Sequence, residues 1–276
     1  MKIGILGIGN IGAIFAESFA HEFSKNNRDD QLYLYDINSE KCQRLSNYPC
    51  IRIAQEPLEL CRESEIIFIA VKPQDAGQLF SLIKNLDYSK KVVVSTMTGI
   101  TTTRIESELV TRNVVRIMPN VPISIGKGVI GICFMEPFEE EKRQLITRLL
   151  GVLGCVVPIR EKDFAALTAL SGSSPAFVFV IVETLIDAGL MMGLSYDVAK
   201  KLVLETLTGS AQMLLHDDEI HPAVMRNKVT SPAGTTIEGI YTLEREGLRG
   251  ILMKILIDTY NKAKRMSGEA EERHHE

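Results

Sequence analysis

The sequence has little net charge and few cysteines. Its 276 residues include 31 Lys and Arg against 35 Asp and Glu, which leaves a formal net charge of −4. Nucleic acids and acidic membrane surfaces attract strongly basic proteins, so we expect neither as a partner. The five cysteines are odd in number and lack Cys-x-x-Cys spacing, which argues against a disulfide framework and a zinc site. We therefore expect reduced thiols, no bound metal and a cytoplasmic location.

Long apolar runs, internal repeats and low-complexity segments are also missing. The most apolar stretch, residues 177–182, ends at Glu183, and Asp187 follows soon after. A membrane-spanning helix needs about 20 apolar residues, so we expect no transmembrane segment. At about 150 residues per domain, the length predicts two domains and a core that needs neither disulfides nor metal.

The two halves of the sequence have different periodicities. Up to about residue 158, short β-branched apolar runs alternate with longer amphipathic stretches, which predicts a parallel sheet with crossover helices. After that point the period is helical almost to Met266. We predict an α/β domain over residues 1–160, an all-helical domain over 161–266 and a disordered tail over 267–276.

One segment of the helical half predicts self-association. Residues 175–190 are apolar on nearly every side, and their polar exceptions are Glu183, Thr184 and Asp187. A helix that is apolar all round must be buried by something. We therefore expect a homodimer with intertwined helices, or a higher homo-oligomer built from dimers. The alternative is a central helix covered by its own neighbours.

A glycine-rich motif opens the chain. Gly7-Ile8-Gly9-Asn10-Ile11-Gly12 is a G-x-G-x-x-G that follows a predicted strand and begins a helical pattern. In a dinucleotide-binding unit, the first glycine permits the tight turn, the second admits the pyrophosphate, and the third lets helix and strand pack closely. The helix N-terminus adds amide donors. All six residues are predicted to contact the cofactor, and the alternative is a glycine-rich turn without a ligand.

The second strand ends in an acidic residue, Asp36. At this place a carboxylate accepts hydrogen bonds from the adenosine ribose and repels a 2′-phosphate. The residues that follow, Ile37, Asn38 and Ser39, include no arginine to bind such a phosphate. The cofactor is therefore predicted to be NADH or NADPH, with NADH favoured.

Polar residues also follow the later strands. Because ligands in open α/β sheets lie beyond the carboxyl ends of the strands, we expect cofactor contacts from Ala70-Val71-Lys72-Pro73. Lys72 is either a surface cation or a contact of the nicotinamide ribose. Asn120, beside two prolines, is the better candidate for a polar contact near the nicotinamide.

Residues with hydroxyl side chains cluster at the start of one predicted helix in the second half. Ser231 followed by Pro232 indicates an N-cap, and Thr235 with Glu238 has capping-box spacing, so the helix could begin at either place. Either start gathers hydroxyls and free amides, which suits a small carboxylate.

Together the two halves resemble one family, pyrroline-5-carboxylate reductase. The matching stretches run in the family's order and cover nearly the whole chain to about Met266, and the most specific of them is residues 230–244. The others are residues 7–12, 70–73, 118–122 and 170–176. The resemblance implies an α/β Rossmann-type N-terminal dinucleotide-binding domain and a C-terminal helical dimerisation and substrate domain. It also implies an active site between them, completed across the dimer.

The resemblance further implies the reaction and its residues. The reaction is the reduction of 1-pyrroline-5-carboxylate to L-proline by a reduced nicotinamide cofactor. Ser231 and the Thr235-Thr236 segment match the family's holders of the substrate carboxylate, with Gly234 beside them. Thr236 also matches a threonine that hydrogen-bonds the ring nitrogen, and Glu219 matches an acidic residue near that nitrogen in some members.

Three departures add bulk where the family has glycine or alanine: Ala233, Ser174 and the pair Met97-Thr98. They keep two alternatives open, a reductase of a related cyclic imine and a non-catalytic paralogue with a binding or regulatory role. A β-hydroxyacid dehydrogenase would need a lysine donor in the helical half, and Lys200 and Lys201 lie on a polar helix face.

Overall fold

A computed structural model describes residues 1–25, 29–217 and 219–266 of the chain. The tail predicted to be disordered, residues 267–276, lies outside this part. The chain forms two compact units, of which the first holds residues 1–173 with 259–266 and the second holds residues 174–258. The helical segment 161–173 therefore packs with the first unit, although the predicted domain boundary is near residue 160.

The first unit is built on an eight-stranded sheet in the order β3-β2-β1-β4-β5-β6-β7-β8. Every neighbouring pair from β3 to β6 is parallel, which confirms the predicted Rossmann-type α/β fold. The strands are β1 (Lys2–Leu6), β2 (Gln31–Tyr35), β3 (Ile51–Ile53), β4 (Ile66–Ile69), β5 (Val92–Ser95), β6 (Val114–Pro119), β7 (Gly128–Phe134) and β8 (Gly154–Pro158).

Helices connect the strands and make up the second unit. In the first unit they are α1 (Asn10–Lys25), α2 (Ser39–Gln43), α3 (Pro57–Glu63), α4 (Ala76–Ile83), α5 (Thr102–Leu109), α6 (Glu140–Gly151) and α7 (Phe164–Leu167). A π-helical turn, Thr168–Gly172, follows α7. The remaining helices are α8 (Ser174–Met191), α9 (Tyr196–His216), α10 (Pro222–Lys228), α11 (Thr235–Arg245) and α12 (Leu248–Met266). The part of α12 from Thr259 on belongs to the first unit.

Strand β7 runs antiparallel to β6, so the prediction of a parallel sheet was wrong at this point. Residues 120–127 alone join the two strands, and they hold one short 3₁₀ turn, Val121–Ile125. A parallel connection needs a crossover of about a dozen residues or more. The short connection can therefore only return the chain in the opposite direction, and β8 pairs with β7 in parallel after the crossover helix α6.

Two apolar clusters cover the faces of the sheet. Ile3 and Ile5 belong to one cluster and Leu6 to the other, because successive strand residues point to opposite faces. In the first cluster the rings of Phe15 and Phe19 lie 5.2 Å and 5.4 Å from the ring of Phe68. Burying each such side chain contributes about 1.5–3 kcal/mol, which fixes α1, and with it the glycine-rich loop, against β4.

The second unit has an apolar surface that its own helices leave open. Helix α8 corresponds to the segment predicted to be apolar all round, and Phe179 and Met191 on it are 63% and 90% exposed. Helix α9 packs closely on one side, since a Cβ on Gly189 would lie 2.7 Å from the Cβ of Ala199. The exposure argues against the alternative in which neighbouring helices of the same chain cover α8.

Among the residues that the structure describes, one helical stretch is long and apolar enough to cross a membrane. It is Glu161–Met191, and little of its most apolar window is buried. A helix with an apolar contact surface for another subunit has the same composition.

Candidate active site

The glycine-rich loop lies between β1 and α1, as predicted. Gly7 has a φ of +93°, and a Cβ there would lie 2.9 Å from the backbone of Ala70. A Cβ on Gly12 would overlap the carbonyl oxygen of Gly7, whereas Gly9 has open space beside it. These are the three roles expected of a loop that admits a pyrophosphate at a helix N-terminus.

Strand register explains why residues distant in sequence meet at this loop. Leu6 pairs with Tyr35 of β2 and with Ile69 of β4. The residues that follow, Gly7, Asp36 and Ala70, therefore leave the sheet at the same edge.

Asp36 is held firmly at this edge, and its side chain is 7% exposed. Its Oδ2 accepts a hydrogen bond of 2.7 Å from the amide of Ile8, and its Oδ1 accepts one of 2.9 Å from the amide of Asn38. The Nζ of Lys41 lies 3.2 Å from Oδ1. The sequence analysis missed Lys41, although its place one turn into the short helix α2 was a usable signal.

A groove with a volume of about 380 Å³ runs along the edge. Half of the twelve residues predicted to hold the cofactor line it, together with Ile37 and Lys41; they are Gly7, Gly9, Asp36, Ala70, Val71 and Lys72. Pro73 begins the adjoining 3₁₀ turn. The Ile8 side chain is buried and the Ile11 side chain packs against the core, so neither residue lines the groove.

Asn120 is a buried residue just beyond β6. Its Oδ1 accepts a hydrogen bond of 2.8 Å from the amide of Val129, and its Nδ2 donates one of 3.2 Å to the hydroxyl of Ser171. The side chain therefore fixes the β6–β7 connection and the π-helical turn. A contact between Asn120 and the nicotinamide stays a prediction.

The side chain of Met97, one of the departures from the family pattern, does not face the groove. Met97 is 1% exposed and belongs to the cluster that also holds Ile69 and Ile100. Its bulk is thus accommodated in the core, whereas Thr98 stays partly exposed.

In the second unit, α11 begins at Thr235 with Gly234 as its N-cap. The preceding residues form a turn, in which the amide of Gly234 donates to the carbonyl of Ser231 over 3.2 Å. Gly234 offers no side chain to cap the helix, and Ser231, Thr235 and Thr236 are exposed. The hydroxyls and the first amides of α11 thus form a polar helix start that can receive a carboxylate.

Glu219 lies in the turn between α9 and α10. Its amide donates to the Oδ1 of Asp217 over 3.2 Å, and the side chain is exposed. His221, two residues on, caps α10 by accepting from the amide of Ala223 over 3.2 Å.

Ala233 has a left-handed backbone, with a φ of +55°. This region suits glycine, because a Cβ then approaches the following carbonyl oxygen. The departure from the family's glycine therefore strains the turn that leads into α11.

Replacing Ala233 by glycine should raise the thermal stability of the protein. The left-handed backbone costs a residue with a Cβ about 1–2 kcal/mol, and the more flexible unfolded chain of glycine offsets about 0.4–1 kcal/mol of this. We expect a net gain of about 0.5–1 kcal/mol, measured by thermal unfolding at fixed protein concentration. Ala211→Gly, inside α9, is the matched control and should destabilise by about 0.5–1 kcal/mol. Shifts of the same sign in both variants would contradict the assigned strain.

Four of the five cysteines are packing residues rather than nucleophiles, and the fifth, Cys155, is exposed. All five are free, and burial raises the pKa of the Cys61 thiol to about 12. Burial also raises the pKa of Cys42, Cys50 and Cys133 above its ordinary value, and a protonated thiol is a poor nucleophile. Among the described residues, no group of three or more His, Cys, Asp or Glu side chains is placed to hold a metal ion.

The fold and the groove define the class of protein: a Rossmann-type, NAD(P)-dependent oxidoreductase. Residues 2–99 match the family described as NADP oxidoreductase, coenzyme F420-dependent. Residues 161–266 match the family described as pyrroline-5-carboxylate reductase dimerisation. A pyrroline-5-carboxylate reductase of Aquifex aeolicus is 38% identical over 267 residues, 96% of this chain and 97% of that protein. The chain belongs to the pyrroline-5-carboxylate reductase family, which confirms the resemblance seen in the sequence.

Solved structures agree along nearly the full length. A pyrroline-5-carboxylate reductase from Coxiella burnetii has a TM-score of 0.86 and 28% identity, covering 96% of this chain and 97% of that one. A pyrroline carboxylate reductase from Plasmodium falciparum, solved with NADP bound, has a TM-score of 0.82 and 29% identity, covering 97% and 98%. The dimerisation family spans the helices with exposed apolar side chains, which indicates a homo-oligomer.

Proposed function

We infer that this protein reduces 1-pyrroline-5-carboxylate to L-proline with a reduced nicotinamide dinucleotide. The observation that carries the inference is the 38% identity to the Aquifex aeolicus pyrroline-5-carboxylate reductase over 96% of the chain. The matched part of the chain includes both the groove of the first unit and the polar start of α11 in the second. The reaction places a hydride on the imine carbon and a proton on the ring nitrogen.

The residues at the groove fit a dinucleotide. The space beside Gly9 and the amides at the start of α1 would hold the pyrophosphate, and Asp36 would bind the adenosine ribose. Ala70, Val71 and Lys72 would line the path towards the nicotinamide, with Asn120 further along the same edge. When bound, the cofactor supplies the hydride.

The start of α11 supplies the substrate contacts in this proposal. The hydroxyls of Ser231 and Thr235 and the uncapped amides after Gly234 bind the carboxylate, which the positive end of the helix dipole favours. Thr236 hydrogen-bonds the ring nitrogen and fixes its orientation. Glu219 supplies or holds a proton near that nitrogen. Positioning is the main contribution, because an imine needs no strong acid once its carbon faces the hydride.

NADH is the preferred cofactor in this proposal. The Asp36 carboxylate accepts the ribose hydroxyls and repels a 2′-phosphate. Lys41 weakens this preference for NADH, because a positive charge attracts a 2′-phosphate. Its ammonium is 3.2 Å from Asp36 Oδ1, and Lys41 lines the same groove. NADPH should therefore remain a usable, weaker cofactor.

Replacing Lys41 by methionine should widen the preference for NADH. The change removes a cation from the groove and leaves the charge of Asp36 unbalanced, so kcat/KM for NADPH should fall about fivefold, which corresponds to roughly 1 kcal/mol. The value for NADH should stay within about twofold. Lys84→Met, at the end of α4, is the control and should change neither value. An equal loss with both cofactors would contradict the role of Lys41.

The first experiment is to mix the purified protein with pyrroline-5-carboxylate and to follow the loss of reduced nicotinamide absorbance, with NADH and NADPH separately. Gly12→Ala, prepared in parallel, controls for host reductases, because its Cβ would overlap the carbonyl of Gly7. Turnover that is faster with NADH supports both the reaction and the role of Asp36. Faster turnover with NADPH would support the reaction but contradict the role of Asp36 in favouring NADH. No turnover in protein that binds NADH would favour a related cyclic imine or a non-catalytic paralogue.

The assembly is proposed to be a homodimer, or a higher oligomer built from dimers, joined through α8. Its exposed apolar side chains, such as Phe179 and Val180, would be covered by a second copy. We place the protein in the cytoplasm, in keeping with its five free cysteines. Light scattering after gel filtration should give at least twice the mass of 30.7 kDa.

A further inference from the structure

Glu161 joins three separate parts of the first unit. It begins the 3₁₀ turn Glu161–Asp163 that precedes α7. Its Oε1 accepts hydrogen bonds from the amide of Thr102 at 2.7 Å and from the Nη1 of Arg116 at 3.1 Å. Its Oε2 accepts one of 2.7 Å from the Thr102 hydroxyl. One side chain therefore ties the start of α5 to the middle of β6.

Arg116 makes this arrangement rigid. It is 4% exposed, and its guanidinium lies 4.3 Å from the centre of the Phe164 ring. Glu161 is its ion-pair partner. A buried guanidinium needs a charged partner in good geometry, so neither side chain is free to move without the other.

The hydrogen bonds between Glu161 and Thr102 also hold the end of the turn of residues 96–101, which joins β5 to α5. Ser95, the last residue of β5, is level with Ile69 of β4 and with Arg116 of β6. In a Rossmann sheet the two mononucleotide halves of the cofactor bind on the two halves of the sheet. Because the Asp36 edge takes the adenosine half, the 96–101 turn borders the nicotinamide half.

The same turn lies close to Glu161 and Arg116. A small cavity with a volume of about 20 Å³ is lined by Thr98, Gly99, Arg116, Glu161 and Thr168, among others. This is room for about one water molecule. Thr98 and Gly99 thus border the same small space as Glu161, so a shift of Glu161 would change their surroundings.

We propose that Glu161 is a positioning residue for hydride transfer, which holds Thr102 against Arg116 and thereby fixes the 96–101 turn beside the nicotinamide. The inference rests on the proposed function and adds a residue outside the groove to it. Misplacing a reacting group by 1 Å can cost about 100-fold in rate. Loosening this turn should therefore lower turnover and leave the adenosine half of the site intact.

The test compares Glu161→Gln with the wild-type protein. We expect kcat with NADH to fall about 10-fold, while the dissociation constant for ADP-ribose, which lacks the nicotinamide, stays within about twofold. The kinetic isotope effect on kcat with NADH deuterated at the transferred position should rise, because hydride transfer becomes slower. A merely structural role would weaken ADP-ribose binding in the same proportion and leave the isotope effect unchanged.

Thr102→Val serves if Glu161→Gln does not fold, because it removes the hydroxyl and keeps the Arg116–Glu161 ion pair. It should lower kcat about threefold. Asp163→Asn on the same 3₁₀ turn is the matched control, since its carboxylate pairs with the exposed Arg160, and it should keep wild-type turnover. A kcat within twofold of wild type in both test variants, or parallel losses of kcat and ADP-ribose affinity, would overturn the proposal.

A failure of the proposed function would be seen separately. It would appear as wild-type protein that binds NADH but does not reduce pyrroline-5-carboxylate. The ratio of the dissociation constants of ADP-ribose and NADH measures the nicotinamide contribution without any substrate. In Glu161→Gln this ratio should still fall at least about threefold, and an unchanged ratio would overturn the positioning role.

Discussion

Replacing Thr236 by valine should lower kcat about 100-fold, the loss typical of removing one preorganised hydrogen-bond donor at the reacting centre. Valine keeps the shape of threonine and removes only the hydroxyl, so α11 should fold unchanged. The ring nitrogen would lose the group that orients it, and the imine carbon would no longer face the hydride. The dissociation constant for NADH should stay within about twofold, because the proposed contact of Thr236 is with the substrate and not with the cofactor.

Steady-state kinetics with pyrroline-5-carboxylate and a separate NADH titration measure this effect. Thr242→Val makes the same chemical change two turns later on α11, on an exposed residue, and should keep wild-type turnover. Equal losses in the two variants would point to damage to the helix. Unchanged turnover in Thr236→Val would remove Thr236 from the site.

The double variant Asp36→Ser, Ile37→Arg should reverse the proposed preference for NADH. It removes the carboxylate that repels a 2′-phosphate and adds a guanidinium that can bind it through two hydrogen bonds. Hydrogen bonds to charged groups contribute about 1.5–3 kcal/mol. We therefore expect the ratio of kcat/KM for NADPH to that for NADH to rise by about 10- to 100-fold.

The position of Ile37 favours this result. Its side chain is 90% exposed and lines the groove, so an arginine fits there without repacking. Losing Asp36 also removes the acceptor for the amide of Ile8, which the hydroxyl of serine can partly replace. Ile37→Arg alone is the control that keeps the glycine-rich loop intact, and it should give a smaller rise. An unchanged ratio in the double variant would mean that other residues determine the preference between NADH and NADPH.

The glycine-rich motif and the order of strands and helices were predictable from local pattern. Gly7 and Gly12 meet steric demands that no other residue meets, and Gly9 leaves open space for a ligand. Apolar periodicity distinguishes strands of the first half from helices of the second. The exact helix start at Thr235 was not predictable. The residues from Ser231 to Glu238 satisfy two capping patterns, and the turn that Gly234 closes with Ser231 decides between them.

The sequence by itself determined the Rossmann-type sheet, the helical half with its uncovered apolar helix α8 and the family. Each of these depends on periodicity, glycine positions or motifs that lie within a few neighbouring residues. Only the tertiary structure decided the reversed β7, the burial of Met97 and the pairing of Glu161 with Thr102, which lies 59 positions away in the sequence. Those features depend on which distant segments the sheet brings together, and no local pattern specifies that choice.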